Sequence, residues 1–356
     1  MALRWQAGAR LGGLALALGI ASVLGCSGQQ DGPDASQASG PPDDAGLPRF
    51  VLSWQAVDGG ENGAVLSAAP NAGAWALAVD GTHLVWAMPF AIFDTALNTG
   101  ATQEIWARDD VFDEPISLAL DDAGVFWTAV DGYVHRLDRA TGAAGPIGAA
   151  SGTSSVLGMS GSTLVVGDSR GAHLWQTDGG ARWRDLPVGG SVFSMAVDGH
   201  EAFASVLPDG GGFFLDIVRF DLDGNVLTLA PGEQVAYVLG VDAQFVYWGS
   251  GDRFGDGGTL SRVARDGGPR EVLLTTDLPV VAGTVTEGKV YFATFPAEFG
   301  PNPAPPQRVY RYDLATGITV PLARDLSFVT AMVLAPDGLY FVEDGRNRLD
   351  RIVPLP

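Results

Sequence analysis

Cysteine occurs once in the 356 residues, at Cys26, and lysine once, at Lys289. A single cysteine excludes an internal disulfide framework and every cysteine-cluster metal site. Histidine is scarce too: His83, His135, His173 and His200 are the full set. No His-x-x-x-His, Gly-x-Ser-x-Gly or phosphate-loop pattern occurs, so the common hydrolase and nucleotide-binding signatures are absent. Positive charge is short throughout, with 21 Lys plus Arg against 41 Asp plus Glu and a net charge of −20. That argues against nucleic acid or an anionic membrane surface as the main partner, since both need basic patches. No helical period of useful length follows residue 26.

Glycine and proline are abundant instead, at 49 and 22, beside a hydrophobic share of 46%. Glycine follows no Gly-X-Y period, which excludes collagen, and the apolar content excludes wholesale disorder. There is material for a large core.

The first 25 residues read as an export signal. Arg4 and Arg10 precede the apolar run Leu11 to Leu24, whose 14 residues fall short of the ~20 that a spanning helix needs. The run ends Val23-Leu24-Gly25-Cys26. This resembles the bacterial lipobox, in which the cysteine receives diacylglycerol, and the resemblance implies lipid attachment at Cys26. Ser27 in the next position implies an outer-membrane destination. Several acyl chains anchor stably where one does not, so the expected protein is tethered and not spanning. Removing residues 1–25 takes away Arg4 and Arg10 and no acid, moving the net charge from −20 to −22. Residues 26–47 contain no aromatic residue, and their only large aliphatic one is Leu47 at the end, so they read as a disordered tether.

Residues 48–356 are repetitive. One unit recurs: an apolar strand ending near Val-Asp-Gly, a tight turn, a strand rich in Val, Tyr, Phe and Trp, and a third strand carrying x-Arg-x-Asp. Anchored at Asp80, Asp121, Ser160, Asp198, Asp242, Thr286 and Ala335, the copies are spaced 41, 39, 38, 44, 44 and 49 residues apart. Such periods belong to propeller blades. Two residues before the anchor the side chain is mostly Ala or Gly. One before, it is always apolar. Five after come Val85, Phe126, Val165, Phe203, Tyr247, Tyr291 and Tyr340. Small residues suit an inner strand squeezed toward an axis, and the aromatic column suits the wider space between blades. The expected fold is an all-β propeller of seven four-stranded blades, with six or eight left open because the third copy lacks an aromatic in its second strand. The seventh copy stops after three strands, so Phe50 to Val57 or Ala64 to Ala69 is expected to supply the missing strand and close the ring.

Phe126-Trp127-Thr128 with Arg136, echoed by Val85-Trp86 and Tyr247-Trp248, resembles the YWTD and NHL-type blades. Ala129 stands where the YWTD motif has Asp, and that family has six blades. The resemblance implies architecture only, since such blades serve receptors, enzymes and scaffolds alike.

Candidate sites follow from propeller topology. The loops entering the inner strands carry Asp113, Glu114, Asp277 and Asp325, hard oxygens that suit Ca²⁺. Gluconolactonase-type propellers hold a catalytic metal in a similar ring, which makes a Ca²⁺-dependent lactonase or hydrolase the alternative function. Asp221 to Asn225 resembles a calcium loop in part, but lacks its closing Glu and reads as a turn. The longest second-to-third-strand connections are expected at Met88 to Glu104, Gly249 to Gly258 and Thr294 to Gln307. They carry Phe90, Phe93, Asp94, Asp252, Arg253, Phe254, Phe295, Glu298 and Phe299. An aromatic rim on a rigid scaffold suits a protein or saccharide of the cell envelope. The leading expectation is therefore a non-enzymatic binding module, with no cofactor, no nucleic acid, and membrane contact through the lipid alone.

Overall fold

The structure is a computed structural model and describes residues 49–51, 54–57, 64–68, 76–108, 114–149, 156–177, 183–210, 214–251, 257–286, 288–295, 307–343 and 348–353. The expected signal, lipid-attachment and tether segments lie outside them. Every regular element among the described residues is a strand. The first three are β1 (Arg49–Val51), β2 (Trp54–Val57) and β3 (Ala64–Ala68). Six antiparallel sheets follow in chain order: β4–β7 (76–107), β8–β11 (115–149), β12–β15 (156–186), β16–β19 (190–234), β20–β23 (237–276) and β24–β27 (280–326). The seventh is built from β28–β30 (329–353) and is completed by β3, which pairs with β30. The inner strands β4, β8, β12, β16, β20, β24 and β28 touch in that order, and β28 touches β4. The ring is closed, and the chain is a seven-bladed β-propeller.

Ala64 to Ala68 thus supplies the missing fourth strand of blade 7. The preceding segment goes further than expected: β2 adds a fifth strand outside β3, and β1 pairs with β7 on the outer edge of blade 1. One N-terminal segment therefore clasps the two blades that meet at the closure.

The second strand of each blade is apolar along its length because both of its faces are covered. The residue five after the anchor always faces the next blade. Phe126 packs with Leu164 and Val166, Phe203 with Val246 and Trp248, and Tyr340 with Leu84 and Trp86. The described core accordingly divides into seven clusters, one at each blade junction. Trp86, Trp127, Trp248, Phe203 and Phe341 are fully buried there; truncating one to Ala costs ~3–5 kcal/mol by the usual cavity scaling. The small residue two before the anchor has an equally direct cause. A Cβ on Gly158 would stand 2.3 Å from Val197, and one on Gly240 would stand 2.9 Å from Val285. Each abutting valine is the apolar residue preceding the anchor of the following blade, so small meets branched around the ring.

A backbone bond marks the repeat six times. The N–H just past the third strand donates to a carbonyl in the turn between the first two strands: Leu97 to Thr82, Arg139 to Ala123, Thr177 to Ser162, Leu222 to His200, Arg265 to Gln244 and Leu314 to Gly288. The third-strand arginines pair with acids, Arg136 with Asp138 at 3.6 Å, Arg219 with Glu201 at 3.3 Å, Arg262 with Glu271 at 2.7 Å and Arg351 with Asp337 at 2.7 Å. Arg136 lies over Phe126 and Arg351 over Tyr340, the aromatics directly across the ladder. Asp138, Asp221 and Asp313 also cap the turns that follow them, accepting backbone N–H bonds from residues two to four ahead. Asp221 to Asn225 is such a turn.

Blade 1 departs from the expected pattern. Met88 to Glu104 is not a long loop: a two-residue turn at Pro89-Phe90 links β5 (His83–Met88) to β6 (Ala91–Ala96), and β7 follows. Asp94 pairs across the ladder with Val85, the register place that Arg136 and Arg219 hold in their blades. Charge reversal at that place hides the strand in the sequence.

Candidate functional site

Strand alternation puts the entering loops of the inner strands and the second-to-third-strand hairpins on one face, here called the loop face. Irregular backbone concentrates there. Five inner strands carry a bulge near their loop-face end, leaving Ile116, Phe193, Leu239, Val281 and Thr330 unpaired in the ladder. The three described non-glycine residues with positive φ, Val235, Asp325 and Phe328, also lie in this region. Bulges re-aim side chains, and strained backbone persists where its surroundings hold it. The Asp325 to Phe328 turn is held in that way. The fully buried Glu343 accepts the Ser327 N–H at 2.6 Å, and Gln307 accepts the Val329 N–H at 3.1 Å. Arg348 bridges Glu343 and the equally buried Asp350, neutralising part of that charge.

The exposed aromatics fall on the same face. Among the described residues only Phe90, Tyr133 and Phe214 are exposed rings, at 43%, 46% and 51%. They sit on the hairpins of blades 1, 2 and 4. The hairpin of blade 2 is braced from below. Asp131 accepts the Tyr133 N–H at 2.8 Å through one oxygen and meets His135 Nε2 at 3.0 Å through the other. The His135 ring stacks on Trp127 at 5.2 Å, and Trp127 meets Trp106 of blade 1 at 5.0 Å. Tyr133 stands edge-on to His135.

The residues singled out from sequence distribute unevenly. Phe90 is exposed as expected. Phe93 is buried and stacked on Trp86 at 4.4 Å. Asp94 points to the opposite half of blade 1, 2.6 Å from His83 and 3.9 Å from Arg139. Phe295 is half-buried and meets Phe328 edge-on at 4.7 Å. Asp113, Asp252, Arg253, Phe254, Glu298, Phe299 and Cys26 lie outside the described residues. Glu114 is half-buried at the entrance of blade 2, where burial raises its carboxyl above the usual value. Asp277 is exposed, and Asp325 is exposed beside Arg324. Among the described residues no three His, Cys, Asp or Glu side chains come together as metal ligands. Tyr133 and Phe214 were missed by the sequence reading. Each opens a third strand, where an outward-facing ring and an inward-facing one look alike in composition.

All four histidines are paired with aspartate: His83 with Asp94, His135 with Asp131, His173 with Asp168 and Asp185, and His200 with Asp223. His173 is the most enclosed pair. Burial opposes its charging, yet the fully buried Asp168 and then Asp185 raise its pKa above the ordinary histidine value. These contacts tie strands within a blade together.

No protein-family model matches the chain, and no curated protein matches it. Solved structures do. The computationally designed Ika8 protein is 15% identical, with a TM-score of 0.59 over 86% of this chain and 97% of that one. A chain of the Mitotic Checkpoint Complex is 13% identical, with a TM-score of 0.62 over 94% of this chain and 100% of that one. At such identities the likeness shows the fold alone, a β-propeller.

Proposed function

We propose that this chain is an exported, lipid-anchored β-propeller of the bacterial envelope that binds a protein or glycan through its loop face. The observation carrying the binding reading is that the exposed aromatic rings, Phe90, Tyr133 and Phe214, share that face. Bulges and strained turns there support it, because binding groups commonly sit on loops held by a rigid scaffold. The anchoring part rests on the Val23 to Cys26 pattern and the apolar run before it. The calcium-dependent lactonase alternative gains no support from Glu114, Asp277 and Asp325, which do not assemble with a third ligand among the described residues.

Two measurements test the reading. Mass spectrometry of the membrane-extracted protein should find diacylglycerol on Cys26, and Cys26→Ser should move the protein out of the membrane fraction. A Cys26→Ser protein that stays membrane-bound sinks the anchor. For the binding face, the triple variant Phe90→Ala, Tyr133→Ala and Phe214→Ala should fold normally and lose its envelope ligand. Undiminished capture of that ligand by the triple variant would move the site elsewhere.

A further inference from the structure

The hairpins of blades 1 and 2 form a more specific arrangement than an aromatic rim. Tyr133 is half exposed, yet its hairpin is fixed by Asp131, and its ring is set against the His135, Trp127 and Trp106 series that runs into the junction of the two blades. Phe90 occupies the neighbouring hairpin, whose carbonyl accepts the Arg108 N–H at 3.0 Å, so Arg108 stands beside it. On the other side the Glu114 carbonyl accepts the Val130 N–H at 3.2 Å, which places that carboxyl residue next to the Tyr133 hairpin. Two outward rings thus stand on neighbouring hairpins, Tyr133 backed by packed aromatics, with the backbone of Arg108 beside one hairpin and that of Glu114 beside the other.

The geometry points to a saccharide-binding platform formed by Phe90 and Tyr133, with a neutral oligosaccharide as ligand; the inference rests on the loop-face reading above. Sugar rings present apolar C–H faces that stack on flat side chains, as two outward aromatic rings on adjacent hairpins allow. Rings held by packing lose little conformational freedom on binding. A protein partner fits less well. The exposed apolar residues on this face are spread over three hairpins, Phe90 on one, Val130 and Tyr133 on the next and Phe214 on another, whereas protein interfaces have a contiguous apolar centre. The net charge of −20 disfavours an anionic polysaccharide. Neutral saccharide chemistry remains.

The test uses the full chain in detergent and three probes, a maltohexaose, a cellohexaose and a chitohexaose, with titration calorimetry and ligand-observed saturation-transfer spectra. At least one series should bind. Tyr133→Ala and Phe90→Ala should each weaken it about tenfold, equivalent to ~1.4 kcal/mol, with thermal unfolding unchanged. Tyr133→Phe keeps the stacking ring and should bind within about twofold of the parent. Binding by none of the series, or binding indifferent to both alanine variants, overturns the assignment. If the saccharides fail while the same two variants abolish capture of a purified envelope protein, the loop-face reading survives and the saccharide does not. If neither ligand class responds, both fall.

Discussion

Arg139 of blade 2 reaches back across the blade junction and places its Nη1 2.8 Å from Asp80 Oδ2 in blade 1. Arg265 of blade 5 makes the same contact with Asp198 of blade 4, and Thr177 of blade 3 with Asp121 of blade 2. All three donors occupy the place just past the third strand, where the backbone bond to the first turn already fixes the chain. A repeated backbone geometry has been used to latch neighbouring blades on the face opposite the candidate site.

The Asp80 latch predicts a pH effect at the acid end. Burial pushes its carboxyl up, but Arg139 and the N–H groups of His83 and Thr82 outweigh that and hold its pKa at about 2, against an ordinary 3.8. Because the folded pKa is depressed, the stabilisation is present above the ordinary value and is lost as pH falls through about 2. Arg139→Ala should cost ~1 kcal/mol at neutral pH, a partly exposed pair being worth little more. Urea midpoints of the two proteins should converge as the acid limit is approached. An unchanged midpoint at neutral pH would show the latch to be energetically idle.

His173 works in the opposite sense. Its folded pKa is raised, so its contribution is full below the ordinary histidine value of 6.5 and fades as pH rises through the higher folded one. Stability should therefore decline as pH rises above the ordinary histidine value of 6.5, and His173→Gln should remove that decline. Chemical unfolding at a series of pH values checks this. A slope that persists in the variant would assign it to another group.

Deleting residues 49–68 removes β1, β2 and β3, and leaves blade 7 with three strands and a bare β30 edge. Unpaired edges recruit other chains. The truncated protein should melt well below the parent and associate on size-exclusion chromatography. A stable monomer would show that the N-terminal clasp is dispensable for closure.

Calcium is expected to leave the unfolding temperature unchanged relative to EDTA, since the described entrance acids do not converge. A ligand at 100 times its dissociation constant adds ~2.7 kcal/mol, a few degrees for a protein this size. A rise of that order would revive the metal-dependent hydrolase.

Much of the architecture was legible in the chain because a propeller repeats one packing problem. Every second strand must be apolar on both faces, and every inner strand must be narrow where it meets its neighbour, so the columns at Val85 to Tyr340 and at Ala78 to Val333 record the ring directly. The reading faltered where one residue broke a column. With Asp94 in place of arginine, β6 reads as a loop and Phe93 as a rim residue, whereas Phe93 packs on Trp86. The closing strand was foreseen, but not the second attachment of β1 to blade 1. Three residues pairing with an outer edge leave no periodic signal.

The repeat period and the alternation of small and branched residues determined the fold class and favoured seven blades, because those quantities are local and recur along the chain; closure of the ring at seven was decided by the contact of β28 with β4. Which aromatic faces solvent was decided by tertiary structure alone. Tyr133 and Phe126 are seven residues apart in one blade, and only their positions relative to the neighbouring blades make one a core ring and the other an exposed one. Burial at a junction depends on the surface brought up from the next repeat, and that surface lies some forty residues away in sequence.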